Sequence, residues 1–205
     1  LRRWRTKPRL HGVLDPKLYK MEDCEEASGF DKCLDYEGFA FAVAELFNEV
    51  VERRREERKK TLELWSSYLA LTLIMLVNGL RLREALRATT RFYETGERRI
   101  RIRAVKGGDP RVVVIPDFIE RGDLEHLYRE LVRRGEDAVS KRVETWLNGV
   151  FGVNPHSIRY AFIRYHVLTG RTPEEVAGAL GLREARTVKK YYLRGLPLEE
   201  GEGDG

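Results

Sequence analysis

The chain has 205 residues, of which 42% are hydrophobic and 35% charged, with a net charge of +5. This is the balance of an ordinary soluble globular protein with one respectable core, and the apolar stretch Leu69 to Val77 is too short to span a bilayer. The basic excess favours a polyanionic partner, but Arg and Glu are mixed along the chain and glutamine is absent, a pattern that suits ion-pair networks at high temperature.

Residues 1–35 read as an irregular N-terminal segment or linker. The basic run Leu1-Arg2-Arg3-Trp4-Arg5-Thr6-Lys7 is either a phosphate contact or a solvated tail. No signal peptide is recognisable and the chain begins with Leu rather than Met, so it is expected to be part of a longer, intracellular protein. Cys24 and Cys33, without a histidine pair at metal-ligand spacing, do not make a zinc site. Two free thiols are expected in a reducing cell, with a local disulfide as the alternative.

From Tyr36 the pattern turns helical, with Phe39, Phe41, Ala42, Ala44, Leu46, Phe47 and Val50 on a broad apolar stripe. A second helix is predicted from about Thr61 to Asn78, stopped by Gly79. A third starts near Arg81 or Leu82. The period then changes: apolar and basic residues alternate from Arg99 to Val105, the signature of a half-buried strand. Lys106 to Pro110 is a turn, and Arg111 to Ile115 is the returning strand of a β-hairpin. Helices are predicted again at about 117–134, 139–150, 155–169, 173–180 and 185–194, with Pro155 and Pro173 in first turns. The acidic tail, 197–205, reads as disordered. Residues 36–196 therefore form one domain, mainly α with a small antiparallel β-sheet.

Four segments carry candidate chemistry. In Asn154-Pro155-His156-Ser157-Ile158-Arg159-Tyr160, a histidine and an arginine three apart share one helical face. There a planar guanidinium can grip two phosphate oxygens while an imidazole moves a proton. Asn78-Gly79-Leu80-Arg81-Leu82-Arg83-Glu84 places Arg81 directly after a helix-breaking Asn-Gly, with Arg83 facing elsewhere. Lys106 sits in the hairpin turn, where a solvated lysine would be ordinary. Thr187-Val188-Lys189-Lys190-Tyr191-Tyr192 offers two tyrosines after the Leu180-Gly181 turn.

Together, and in this order, these segments resemble the catalytic domain of the tyrosine recombinases, or phage integrases, in particular those of archaeal viruses and plasmids. The resemblance spans roughly Tyr36 to Tyr192. It implies that family's helical fold with a small sheet, and phosphate binding by Arg81 and Arg159 with Glu84 as support. It further implies a proton-handling role for His156 and a leaving-group role for Lys106. The chain departs from the family pattern after Gly181, where Leu182 stands in place of a histidine; Arg183 is the substitute for the third phosphate-binding residue. Alignment on Thr187 and Gly181 selects Tyr191 as nucleophile, whereas spacing from Arg183 selects Tyr192.

The implied activity is metal-independent cleavage and rejoining of DNA through a 3′-phosphotyrosyl intermediate, with no cofactor. Double-stranded DNA is the implied partner, on which a homo-oligomer, a tetramer by analogy, assembles. No membrane is involved, and the location is cytoplasmic, on nucleoid, viral or plasmid DNA. Two other readings stand beside it: a type IB topoisomerase-like enzyme that relaxes supercoils, and a decayed DNA-binding protein of the same fold, to which Leu182 gives weight.

Overall fold

The computed structural model describes residues 15–21, 34–57, 59–103 and 108–189. Within them, eight α-helices and one hairpin are ordered α1 (Tyr36–Glu56), α2 (Lys60–Asn78), α3 (Leu82–Thr95), β1 (Arg99–Ile102), β2 (Arg111–Val114), α4 (Glu125–Arg134), α5 (Glu136–Phe151), α6 (Pro155–Leu168), α7 (Pro173–Ala179) and α8 (Ala185–Thr187). The described chain is thus mainly α with one small antiparallel sheet, as its periodicity predicts.

Helix α1 starts where the Asp35 carboxylate accepts from the Gly38 N–H at 2.6 Å, satisfying one of the donors that every helix start leaves open. Its buried stripe is Phe39, Ala42, Val43, Leu46, Phe47 and Val50. Phe41, expected on that stripe, is 62% exposed. At 100° per residue it falls outside the arc facing α2.

Helix α2 is the centre of the molecule and packs against α1, α3, α4, α6 and β2. By length and composition alone it would suffice to cross a membrane. Its apolar residues from Leu62 to Leu76, apart from the half-buried Leu64, are instead buried within the protein, each large aliphatic side chain contributing about 1.5–3 kcal/mol. Tyr19 and Leu34, from the expected irregular segment, also join this core, and Tyr19 packs edge-on against Phe39 and Phe151.

One expected helix begins later than its sequence pattern suggests. Residues 117–120 are not helical; a single 3-10 turn, Arg121–Leu124, precedes α4. The reason is Asp123, whose carboxylate accepts from the Glu120 N–H at 2.8 Å and from the Arg54 guanidinium of α1 at 2.5 Å. This tertiary anchor outweighs the modest helix propensity of the segment. Pro155 and Pro173 occupy helix starts as predicted.

In the hairpin, Arg99 pairs with Val114, Ile100 with Val113, Arg101 with Val112 and Ile102 with Arg111. Ile100, Ile102, Arg111 and Val113 face inward. A smaller apolar cluster, formed by Phe162, Ile163, Val176, Ala177, Leu180 and Val188, seats α7 and α8 on α6.

Candidate phosphate-binding site

The site begins at the end of α2. Gly79 closes the helix in the left-handed region, at φ 59° and ψ 35°. A Cβ there would lie 2.5 Å from Phe162 Cδ1 and 2.8 Å from Leu180 Cδ2. Glycine is therefore needed both for the conformation and for the close approach of α6. The tight turn delivers Arg81 as the N-cap residue of α3, with extended backbone.

Glu84, in the first turn of α3, is completely buried. Its Oε2 accepts from the Arg81 N–H at 3.0 Å, and its Oε1 accepts from Arg81 Nη1 at 3.3 Å. Arg111 Nη2 from β2 donates to the same Oε2. Arg159 Nη1 from α6 stands 3.7 Å from it and donates to the Gly79 carbonyl at 2.7 Å. Among the described residues, three guanidinium groups from three separate elements share one buried carboxylate. A carboxylate away from water is tolerable only with such charged, hydrogen-bonding partners. In return it fixes where each planar fork points.

Arg111 shows the cost of that arrangement. Burial, opposed by Glu84 and reinforced by the nearby Arg159 charge, pulls its guanidinium down to about 10. It stays cationic at neutral pH. Arg111 Nη1 also donates to the Asn78 carbonyl at 3.4 Å.

His156 and Arg81 line one cleft of about 350 Å³, together with Leu82, Arg83, Ser140, Asn154, Pro155 and one carboxylate, Glu144. The Asn154 Oδ1 accepts from the His156 N–H at 2.8 Å and starts α6, and the imidazole meets the Tyr160 ring edge-on at 5.1 Å. Arg159, one helical turn further on, is fully buried behind it. Arg83, expected from its helical position to face elsewhere, also lines this cleft; it is exposed and paired with Asp137 of α5 at 2.5 Å.

The hairpin is held to this site from both sides. The Asn78 side chain donates to the Val114 carbonyl at 2.9 Å and accepts from the Val114 N–H at 2.8 Å. The Asp109 N–H donates to the Gly181 carbonyl at 3.0 Å. A Cβ on Gly181 would lie 2.6 Å from the Asp109 carbonyl oxygen. The end of the hairpin loop thus rests on the turn that leads to Arg183, which is itself exposed.

Of the residues singled out in the sequence, Arg81, Glu84, His156 and Arg159 are brought to one place, and Arg183 lies on the bend next to the hairpin. Lys106, Tyr191, Tyr192, Cys24 and Cys33 lie outside the described residues. The sequence reading missed Arg111, taking it only as the start of a strand. Its signal was parity: in the alternating hairpin it occupies an inward position, where an unpaired arginine would be costly. No group of metal-binding side chains occurs among the described residues.

No protein-family model matches the chain, and no solved structure matches it significantly. The chain is similar to "Putative integrase ORF241" of Acidianus two-tailed virus, being 33% identical over 127 residues, 62% of this chain and 52% of that protein. It therefore spans about half the length of the relative it matches.

Proposed function

We propose that the chain is the catalytic domain of an integrase that cuts and rejoins double-stranded DNA by the tyrosine recombinase reaction. One observation carries this reading: Arg81, Arg159 and the Glu84 that orients them converge beside His156, although Arg159 and Gly79 are 80 residues apart in sequence. The integrase name of the viral relative supports the same class of reaction.

In this reading the scissile phosphodiester sits over the cleft. Arg81, on the cleft wall, binds its non-bridging oxygens, where negative charge concentrates as the phosphorus becomes five-coordinate; Arg159, fully buried in this structure, takes the same role by its place in the sequence motif. Each such preorganised donor is worth on the order of 3 kcal/mol of barrier. Glu84 and Arg111 touch no substrate; they keep the forks in place. The phenol of Tyr191, or of Tyr192, gives up its proton to His156 as its oxygen bonds to phosphorus. A free phenol has a pKa of about 10, so this transfer and the neighbouring cations are needed near neutrality. The bond to the 5′ oxygen breaks, and Lys106 supplies the proton to that oxygen. A 3′-phosphotyrosyl ester and a free 5′ hydroxyl result. Attack by a 5′ hydroxyl from another strand reverses the steps and transfers the strand, without ATP. Arg183 is the third phosphate ligand, and a homo-tetramer on paired DNA sites is the assembly that such exchange requires.

The test is covalent capture. Nicked duplexes of randomised sequence are incubated with the protein and run on denaturing gels. A protein-linked DNA band is expected, lost in Arg159→Ala and in one of Tyr191→Phe or Tyr192→Phe. No band with the unaltered chain would overturn the reading. Relaxation of plasmid at low protein concentration without recombinant products would instead assign a topoisomerase.

A further inference from the structure

The outward face of the hairpin is a row of arginines with valines, not carboxylates, as its cross-strand neighbours. Arg99 and Arg101 point to solvent from β1, and Arg103, immediately after the strand, is exposed in the same parity. Residues alternate every 3.4 Å along a strand, so the three guanidinium stems emerge about 7 Å apart. None of the three forms an ion pair among the described residues. Directly across the ladder, where an opposite charge would be stabilising, stand Val114 and Val112. Those valines are themselves 39% and 51% exposed.

Several exposed arginines elsewhere on the molecule are paired, whereas others, Arg55 and Arg186 among them, stand singly rather than in a row. Arg87 pairs with Glu136 at 3.0 Å, Arg91 with Glu97 at 3.4 Å, and Arg129 and Arg133 hold Glu125 and Glu130. Protection of a sheet edge from self-association accounts for charge on an exposed strand. It does not account for three charges of one sign, which repel each other, when alternating signs would serve equally well.

We propose that this face is a docking surface for the phosphate backbone of duplex DNA, outside the cleft that holds the scissile phosphate. The inference rests on the reading of the protein as DNA-binding, and extends it to a surface on the opposite side of the hairpin from Glu84. A polyanion with regularly spaced charges is the partner that complements such a row. Guanidinium forks bind phosphate oxygens in bidentate fashion. The two valines keep the neighbouring strand free of carboxylates that would compete.

The experiment measures binding of a labelled random-sequence duplex as a function of salt, using the full chain. Removing one arginine–phosphate interaction should lower the slope of log affinity against log salt by about 0.9. The triple variant Arg99→Gln, Arg101→Gln, Arg103→Gln should therefore lose up to three such increments. A charge-matched control, Lys17→Gln, Arg55→Gln, Lys60→Gln, removes three exposed cations elsewhere and should leave the slope unchanged. Substitution of the three arginines by lysine should retain the slope and report that the hairpin still folds. An unchanged slope in the hairpin variant, or an equal fall in the control, would overturn the proposal. Covalent capture is read separately at saturating duplex, so loss of the docking face and failure of the strand-transfer chemistry give different results.

Discussion

The guanidinium of Arg159 donates to the main-chain carbonyl of Gly79 at 2.7 Å, tying the middle of α6 to the turn that presents Arg81. Arg159 is therefore a structural fastener as well as a candidate phosphate ligand. Replacing it with alanine leaves the Gly79 carbonyl and the Glu84 carboxylate short of a buried cationic partner, and removing one member of such a network costs about 3–5 kcal/mol. Arg159→Ala should show a lower urea midpoint at unchanged m-value. Arg159→Lys, which keeps the charge but not the fork, should lose less stability. Equal losses in the two variants would show that the charge contributes nothing there.

The pair Glu84 and Arg111 makes a sharper test. Glu84→Gln keeps the shape but leaves the buried Arg111 guanidinium without its carboxylate, and a loss of about 3 kcal/mol or more is expected. Arg111→Met alone should also destabilise. The double variant removes both charges, so its loss should fall short of the sum of the single losses by about 0.5–3 kcal/mol. Strict additivity in denaturant unfolding would mean that the two groups do not stabilise each other.

Local signals are legible in the sequence and tertiary ones are not. The three-residue spacing of His156 and Arg159 and the Asn78-Gly79 break before Arg81 are properties of neighbouring residues, and the structure places those side chains together. The hairpin follows from alternation. Arg111 is legible only in part: alternation places it on the inward face, but its partner Glu84 is set by how the hairpin packs on the helices. The same limit explains residues 117–120: the anchoring of Asp123 by Arg54 comes from 69 positions away, beyond the reach of any local pattern.

Gly79 predicts a result that depends on crowding rather than on backbone alone. Gly79→Ala places a Cβ 2.5 Å from Phe162 in a left-handed residue, so backbone strain of about 1 kcal/mol or more is joined by overpacking of about 1–3 kcal/mol. Gly96 also has positive φ, at 76°, but a Cβ there meets nothing within 4 Å. Gly96→Ala should therefore show the strain without the overpacking. Similar unfolding midpoints for the two variants would contradict this assignment of the contact between α2 and α6.

His166 sets an acid-side dependence of stability. Its ring packs edge-on to Phe162 with centroids 4.2 Å apart, and lies 6.1 Å from the Tyr36 ring. Burial, helped by the Arg171 charge, holds its imidazole below the ordinary histidine value of 6.5. As pH falls from 6.5, the unfolded chain takes up the proton before the folded one does. The unfolded state is thereby favoured, so this group's contribution is complete above 6.5 and is lost progressively below it. His126 is shifted in the same direction, chiefly by burial, so it adds to the decline. The carboxylates with lowered values, Glu130 among them, act only at more acid pH. Thermal unfolding of the unaltered protein should therefore fall between pH 7.5 and pH 5.5 by more than that of His166→Phe, which keeps the apolar packing and removes the proton site. An identical fall in both proteins would show that His166 is as free to protonate in the fold as in the unfolded chain.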